Sequence, residues 1–194
     1  MTRSKLALCL ALASALSLAA PASGGWRRDG EPVQDEAWRK SDGDFGALLV
    51  VTDRLDQFLI EWEKPDDPSH PPVLHPAPFA KRGDTVWGVV LFKGCKPGAK
   101  RLCRAEVDFT VLRPDGSVYA SHKNADLWHS SPPPGKNLQL ASARLGLHIE
   151  DKDPLGTYLV RAVARDLEAH RTVTVERKLE VRAREQAAPA AREK

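Results

Sequence analysis

The chain has 194 residues, 29 of them Lys or Arg against 26 Asp or Glu, and hydrophobic residues make up 42% of it. This length is enough for one domain with a complete core and additional segments at its ends. The formal net charge of +3 argues against nucleic acid as a partner, because nucleic-acid-binding domains carry a large and clustered excess of positive charge.

The N-terminal residues predict a signal peptide over residues 1–22. Arg3 and Lys5 precede an apolar run at 6–20, and Ala20 and Ala22 place small residues where a signal peptidase cleaves. The run has about 15 residues, whereas a membrane-spanning helix needs about 20. We therefore expect export to the periplasm or the medium, with no integral membrane span after cleavage.

The segments on either side of the predicted domain lack a regular apolar pattern. Residues 23–44 are polar without a sustained period, which predicts a flexible N-terminal segment. Residues 183–194 are rich in charge and alanine, which predicts a disordered tail. The ordered domain is accordingly predicted over residues 45–182.

Within residues 45–182, short apolar patterns of period two indicate β-strands. Residues 58–62 alternate and predict a strand, whereas the proline-rich stretch 65–78 predicts an extended loop. Residues 85–92 are apolar on both faces, so this strand is expected to be central or covered on its second face. Further strands are predicted over 46–52, 105–111, from 118 onward, and over 138–149, 158–164 and 173–181. About seven or eight strands and no long amphipathic helix predict an all-β antiparallel sandwich.

Two cysteines remain after removal of the signal peptide, which carries Cys9. In an oxidising compartment, a disulfide between Cys95 and Cys103 is the expected state. We expect it at the neck of a hairpin that joins the strands on either side. A redox-active or metal-binding pair is the alternative, although the spacing differs from C-x-x-C and no histidine lies between the two cysteines.

The segment from Asp153 to Val160 resembles the corner that precedes a late strand in immunoglobulin-like domains. The resemblance implies a structural corner built from Asp153, Gly156 and Tyr158, with the tyrosine hydroxyl bonded back to the loop. Val160 stands where an antibody domain has its inter-sheet cysteine. Residues 45–182 as a whole are similar to uncharacterised secreted proteins of Gram-negative bacteria, which implies a location in the cell envelope and no particular activity.

Motifs for catalysis and cofactor binding are not found in the sequence. It has no Gly-x-Ser-x-Gly elbow, and no set of catalytic roles can be assembled, so we predict a protein that is not an enzyme and has no cofactor. The weak candidates for metal ligands are four histidines beside acidic residues. They are His70, His75, His122 and His129. Because the sole methionine is Met1, a copper carrier is not favoured.

Two tryptophans are the candidate binding residues. If Trp87 and Trp128 are exposed, they mark a surface for a protein or glycan of the cell envelope. The alternative, which carries more weight, is that the proline-rich loop covers Trp87 and that Trp128 closes one end of the sandwich. The predicted function is a non-catalytic periplasmic module that binds another envelope component. A small-ligand or metal carrier is the second hypothesis, and a hydrolase is the third.

Overall fold

The computed structural model describes residues 25–28, 30–64, 72–132 and 138–184. The predicted signal peptide and residues 185–194 of the predicted tail lie outside these ranges. The first strands are β1 (Arg27–Arg28), β2 (Glu31–Pro32), β3 (Arg39–Asp42) and β4 (Phe45–Thr52), followed by the helix α1 (Leu55–Trp62). The remaining strands are β5 (Phe79–Lys81), β6 (Thr85–Lys93), β7 (Ala105–Leu112), β8 (Val118–Trp128), β9 (Gln139–His148), β10 (Gly156–Asp166) and β11 (Arg171–Arg182).

Two sheets form a sandwich with the strand order of an immunoglobulin-like domain. The five-stranded sheet has the order β5-β11-β10-β7-β8, and the four-stranded sheet has the order β3-β4-β6-β9. Strands β4, β6, β7, β8, β9, β10 and β11 correspond to A, B, C, C′, E, F and G of that fold, so the sheets contain ABE and GFCC′. The strands pair antiparallel, except that β5 pairs parallel with β11. The predicted all-β, immunoglobulin-like fold is confirmed.

The main core lies between the two sheets and follows the alternation of the sequence. In β7, Ala105, Val107, Phe109 and Val111 are buried, while the residues between them are half-buried. β10 repeats this pattern from Tyr158 onward. Each strand of the five-stranded sheet therefore turns one apolar face inward and one polar face toward solvent.

The prediction of a strand at 58–62 is wrong, because this segment belongs to the helix α1. Leu55, Phe58, Leu59 and Trp62 recur at the helical spacing of three and four residues, so they form one stripe that packs toward the protein. Ile60, which a strand would have buried beside Phe58, is 61% exposed. Over so short a segment the apolar residues fit both the strand period of two and the helix period of 3.6, and the packing of the stripe against the protein selects the helix.

A second core covers the outer face of the four-stranded sheet. Its buried side chains are Trp26, Leu48, Val50, Phe58, Val89 and Leu91. As a result β6 is buried on both faces, as its sequence predicts. Helix α1 and the N-terminal segment contribute to this cover, and Leu74 of the proline-rich stretch packs there as well. The sequence predicted that this strand is central or is covered on its second face by a loop.

The prediction that residues 23–44 are flexible and precede the domain is wrong for the described part of that segment. β3 pairs antiparallel with β4, with Arg39 opposite Leu48. The amide of Glu176 on β11 also donates to the carbonyl of Ala37 at 2.7 Å. The segment is polar in sequence, but its few large side chains pack on the outer sheet face and its backbone completes the edge of the sheet.

The disulfide between Cys95 and Cys103 is present, with a Cα–Cα distance of 5.9 Å, so this prediction is confirmed. Its predicted position in a hairpin is wrong. β6 pairs with β4 and β9, whereas β7 pairs with β8 and β10. The connection at 94–104 therefore crosses from one sheet to the other, and the disulfide closes this crossover loop.

Candidate binding surface

Four connections of the sandwich meet at one end of the molecule. They are the turn at 43–44, the disulfide-closed loop at 94–104, the segment that follows β8 at 129–132, and the turn at 167–170. In an immunoglobulin variable domain, the loops that correspond to 94–104 and 167–170 belong to the antigen-binding end. We refer to this end of the molecule as the loop end.

One buried carboxylate ties two of these connections together. Asp166, which ends β10, is only 1% exposed. Its Oδ2 accepts the amide of Lys96 at 2.7 Å, and its Oδ1 accepts the amides of Glu168 and Ala169 at 3.0 and 3.1 Å. Since a buried carboxylate needs such donors, the disulfide-closed loop and the turn at 167–170 are held as one unit.

Further contacts hold the disulfide-closed loop on its other sides. The carbonyl of Arg104 accepts the amide of Leu167 at 2.9 Å, and Arg104 Nη1 lies 3.2 Å from Glu168 Oε1. The amide of Cys103 donates to the carbonyl of Ser130 at 2.7 Å. Closing a loop this short with a disulfide stabilises the fold by roughly 2.5 kcal/mol. These contacts and the disulfide hold the disulfide-closed loop against the segments on either side of it.

A polar cleft of about 500 Å³ lies where these connections meet, and Asp44, Lys96 and Arg171 are among the residues that line it. Arg171 Nη1 is 2.6 Å from Asp42 Oδ1, so this arginine is anchored at the rim. Gly94 has a φ of +73° and lies so close to the carbonyl oxygen of Asp44 that a side chain at this position would overlap it. Position 94, which lines the cleft, therefore requires glycine.

The disulfide-closed loop is strongly basic. Between residues 93 and 104 the sequence contains no acidic residue, and its basic residues are Lys93, Lys96, Lys100, Arg101 and Arg104. Burial lowers the pKa of Lys93, which lies over the ring of Trp26 at 5.4 Å. Lys96, Lys100 and Arg101 are exposed, so the loop presents positive charge to solvent beside the cleft.

The structure separates the two candidate tryptophans. Trp128 lies at the loop end, where its ring packs against Phe92 at 6.0 Å and its Nε1 donates to the carbonyl of Ser131 at 2.8 Å. It is half-buried against the main core, in agreement with the alternative that it closes this end. Trp87 lies near the opposite end of β6, about 16 Å away along the strand, and its side chain packs against the second core.

Trp87 lines a smaller open cleft of about 430 Å³ at the start of α1, together with Asp53, Arg54 and Gln57. Its ring lies directly over Gly146 of β9, where a side chain would be 2.9 Å from the ring. The start of α1 therefore adjoins Trp87. The predicted cover of Trp87 by the proline-rich loop falls partly on residues 65–71, which lie outside the described residues, and stays a prediction. Because the ring is half-buried, it offers less apolar surface than an exposed tryptophan would.

The candidate histidines do not converge on one site. His70 lies outside the described residues, and the carbonyl of His75 accepts the hydroxyl of Thr52 at 2.8 Å. His122 lies on β8 opposite Phe109, and His129 hydrogen-bonds Asp126. Across the described ranges, no three side chains of His, Cys, Asp or Glu are grouped as a metal ion would require.

The corner at 153–158 has the geometry that the resemblance implies. The hydroxyl of Tyr158 donates to the carbonyl of Pro154 at 3.0 Å, and Gly156 has a φ of +123°. Asp153 is buried and accepts the hydroxyl of Tyr119 at 2.6 Å and the amide of Glu150 at 2.7 Å. Burial and this hydrogen bond raise the pKa of Tyr119. The corner is thus a structural support at the end of the sandwich opposite the loop end.

Sequence reasoning did not single out Asp166, Lys96 or Arg171. A usable signal was present, because 93–104 combines five cations and two cysteines with no acidic residue. The anchoring role of Asp166 had no comparable signal. It depends on the proximity of residues 96 and 166, which only the folded chain establishes.

No family model matches the chain, and no curated protein matches it. It is similar to the solved structure of a family 123 glycoside hydrolase from Clostridium perfringens, with 14% identity and a TM-score of 0.41 over 75% of this chain and 28% of the hydrolase. It is also similar to a CARDB domain from Pyrococcus furiosus in complex with di-metal ions, with 15% identity and a TM-score of 0.29 over 54% of this chain and 80% of that one. Both TM-scores are low, so the assignment of the fold rests on strand order and register. In the described part of the chain, no helix has the length and apolar character needed to cross a bilayer.

Proposed function

We propose that this protein is a non-catalytic, immunoglobulin-like binding module of the cell envelope, exported to the periplasm, that uses its loop end to bind another envelope component. The observation that carries the proposal is the way in which Asp166 and the disulfide hold the loop end rigid around a polar cleft. Binding residues in sandwich domains are commonly located on loops that a rigid scaffold positions.

Rigid loops favour binding because less conformational entropy is lost when a partner docks. The loop at 94–104 is held by its disulfide, by the carboxylate of Asp166 and by the amide of Cys103. Its exposed cation Lys96 lines the cleft. A partner with an acidic surface, either a protein or a glycan, fits this arrangement through charge complementarity.

Three acidic side chains at the loop end serve structural roles, which supports a function without catalysis. Asp166 accepts three backbone amides, Asp42 is paired with Arg171, and Glu168 is paired with Arg104. A general acid or base must lie within hydrogen-bond reach of its substrate. The carboxylates of Asp166, Asp42 and Glu168 are instead directed to donors of the protein itself.

Site-specific photo-crosslinking in intact cells tests the proposal. A photoreactive amino acid is placed at Lys96, which lines the cleft through an exposed side chain and anchors the loop only through its backbone amide. The matched control position is Lys178, which is exposed on the outer face of the five-stranded sheet. We expect a discrete adduct with an envelope component from position 96 and none from position 178.

Absence of an adduct from position 96, or the same adducts from both positions, would contradict the proposal. Fractionation of the same cells tests the location. The mature protein is expected in the periplasmic fraction, and an uncleaved protein in the cytosol would contradict export.

A further inference from the structure

The tip of the disulfide-closed loop differs in character from the cleft beside it. Lys100, Arg101 and Leu102 are consecutive, and all three are exposed. Neither Lys100 nor Arg101 forms an ion pair with any residue in the described part of the chain. Two cations and one apolar side chain thus project from the molecule at the same point.

Leu102 is 43% exposed and is one of few large hydrophobic side chains on the described surface. Two backbone hydrogen bonds fix the turn that carries Leu102. The amide of Gly98 donates to the carbonyl of Leu102 at 2.9 Å, and the amide of Arg101 donates to the carbonyl of Gly98 at 2.8 Å. Arg101 takes a φ of +60° to close this turn. The turn is anchored on both sides, by Cys95 and by Cys103. The backbone that carries the exposed leucine is thus held in place by the turn and the disulfide.

We propose that this tip docks on the surface of an anionic phospholipid bilayer, with Lys100 and Arg101 at the phosphate level and Leu102 inserted among the acyl chains. The inference rests on the proposed function, since it names a partner for the same loop. Cations next to an exposed apolar side chain are the combination by which peripheral proteins attach to anionic membranes.

The exposed leucine favours a bilayer over an acidic glycan or protein surface. A polyanionic glycan would be bound by the cations alone, and sugar rings are usually contacted by aromatic side chains, of which the segment 93–104 has none. A bilayer offers both the negative surface for the cations and an apolar layer for Leu102. Charge complementarity and apolar exposure therefore indicate the same occupant.

Vesicle flotation tests the inference with the purified full chain. The probes are vesicles of phosphatidylcholine alone and vesicles in which about one third of the lipid is phosphatidylglycerol. We expect flotation with the anionic vesicles only, and release at high salt, because salt screens the attraction between exposed charges.

Neutralising the tip with the double variant Lys100→Gln and Arg101→Gln is expected to weaken binding about 25-fold, or about fivefold for each cation. The matched control neutralises Lys123 and Lys178, which are exposed on the five-stranded sheet, and is expected to bind like the unmodified protein. Equal losses in the two double variants would overturn the inference, because they would show attraction by net charge rather than by the tip.

The leucine is tested separately with Leu102→Ser, which is expected to reduce binding about tenfold through the loss of apolar burial. Val118→Ser is the control, because Val118 is exposed at the opposite end of the sandwich. Both variants should retain the unfolding temperature of the unmodified protein, since neither side chain is buried.

The flotation experiment can fail without contradicting the proposed function. If the unmodified protein does not float with the anionic vesicles, or if Leu102→Ser floats as well as Val118→Ser, the membrane contact is wrong. A protein or glycan adduct from position 96 would still support the proposed function in that case.

Discussion

The two outer faces of the sandwich differ, although both belong to sheets of one small domain. The outer face of the four-stranded sheet is covered by α1 and the N-terminal segment, which bury Trp26 and Phe58 against it. The outer face of the five-stranded sheet carries ion pairs such as Arg161 with Glu176 at 2.6 Å and Arg165 with Asp108 at 2.7 Å. The comparison shows that the residue pattern of a strand decides whether its second face is covered or solvated.

Cation–π contacts add to the apolar packing and strand pairing that hold the N-terminal segment in place. Arg177 of β11 lies 4.4 Å from the centre of the Trp38 ring, and Arg39 lies 4.9 Å from the same ring. Arg39 is only 8% exposed, and burial lowers the pKa of Arg177. The N-terminal segment is therefore held in part by desolvated cation–π contacts, whereas the other face carries half-buried ion pairs.

The largest effect is expected from Phe58→Ala, which removes the fully buried ring of α1 from the second core. We expect the free energy of unfolding to fall by about 3–5 kcal/mol, because the change loses apolar burial and leaves a cavity. Urea denaturation measures this loss. Ile60→Ala on the exposed side of the same helix is the control, with a change within about 0.5 kcal/mol. Similar values for the two variants would show that α1 does not pack as a cover.

A smaller loss, about 2 kcal/mol, is expected from Trp38→Ala, which removes the ring between Arg39 and Arg177. Trp38→Phe keeps an aromatic ring and should recover part of the stability. Hydrogen exchange provides the second measurement. Amides of the β3–β4 pairing should exchange faster in Trp38→Ala, whereas those of β7 should not. Faster exchange in both β3–β4 and β7 would show that the N-terminal segment does not open independently of the sandwich.

On the solvated face, Asp108→Asn is expected to cost only about 1 kcal/mol at neutral pH. The hydrogen bond from Arg165 lowers the pKa of Asp108 to about 2. A carboxyl pKa that is lower in the folded state stabilises the fold above the unfolded value of about 3.9, and this stability is lost as the pH falls through about 2. The difference between the unmodified protein and the variant should thus shrink between about pH 4 and pH 2.

Thermal unfolding across this pH range checks the expectation. The control is Asp151→Asn, since Asp151 is exposed and its replacement is expected to change the unfolding temperature little. A difference for Asp108→Asn that stays constant down to pH 2 would show that the pair with Arg165 does not contribute through its charge.

Most strands could be read from the sequence, because each is either an alternation of period two, as in β7 and β10, or a short continuous apolar run, as in β4 and β6. β7 is the clearest case, and its buried residues are those of the predicted inward face. The segment at 58–62 could not be assigned in this way, since Phe58 and Trp62 satisfy both a strand and a helix period. The candidate surface was recognised only in part. The disulfide was predicted, but the partnership of Lys96 with Asp166 was not.

The sequence by itself determined the β-sandwich, the disulfide and the tyrosine corner, because alternation, cysteine pairing and turn residues act over short distances along the chain. Only the tertiary structure decided that α1 and the N-terminal segment cover one sheet, and that four connections meet around a rigid basic loop. These features depend on contacts between residues far apart in the chain, such as Lys96 with Asp166 and Trp38 with Arg177. Such contacts form where the fold brings surfaces together, and local sequence patterns carry no record of that proximity.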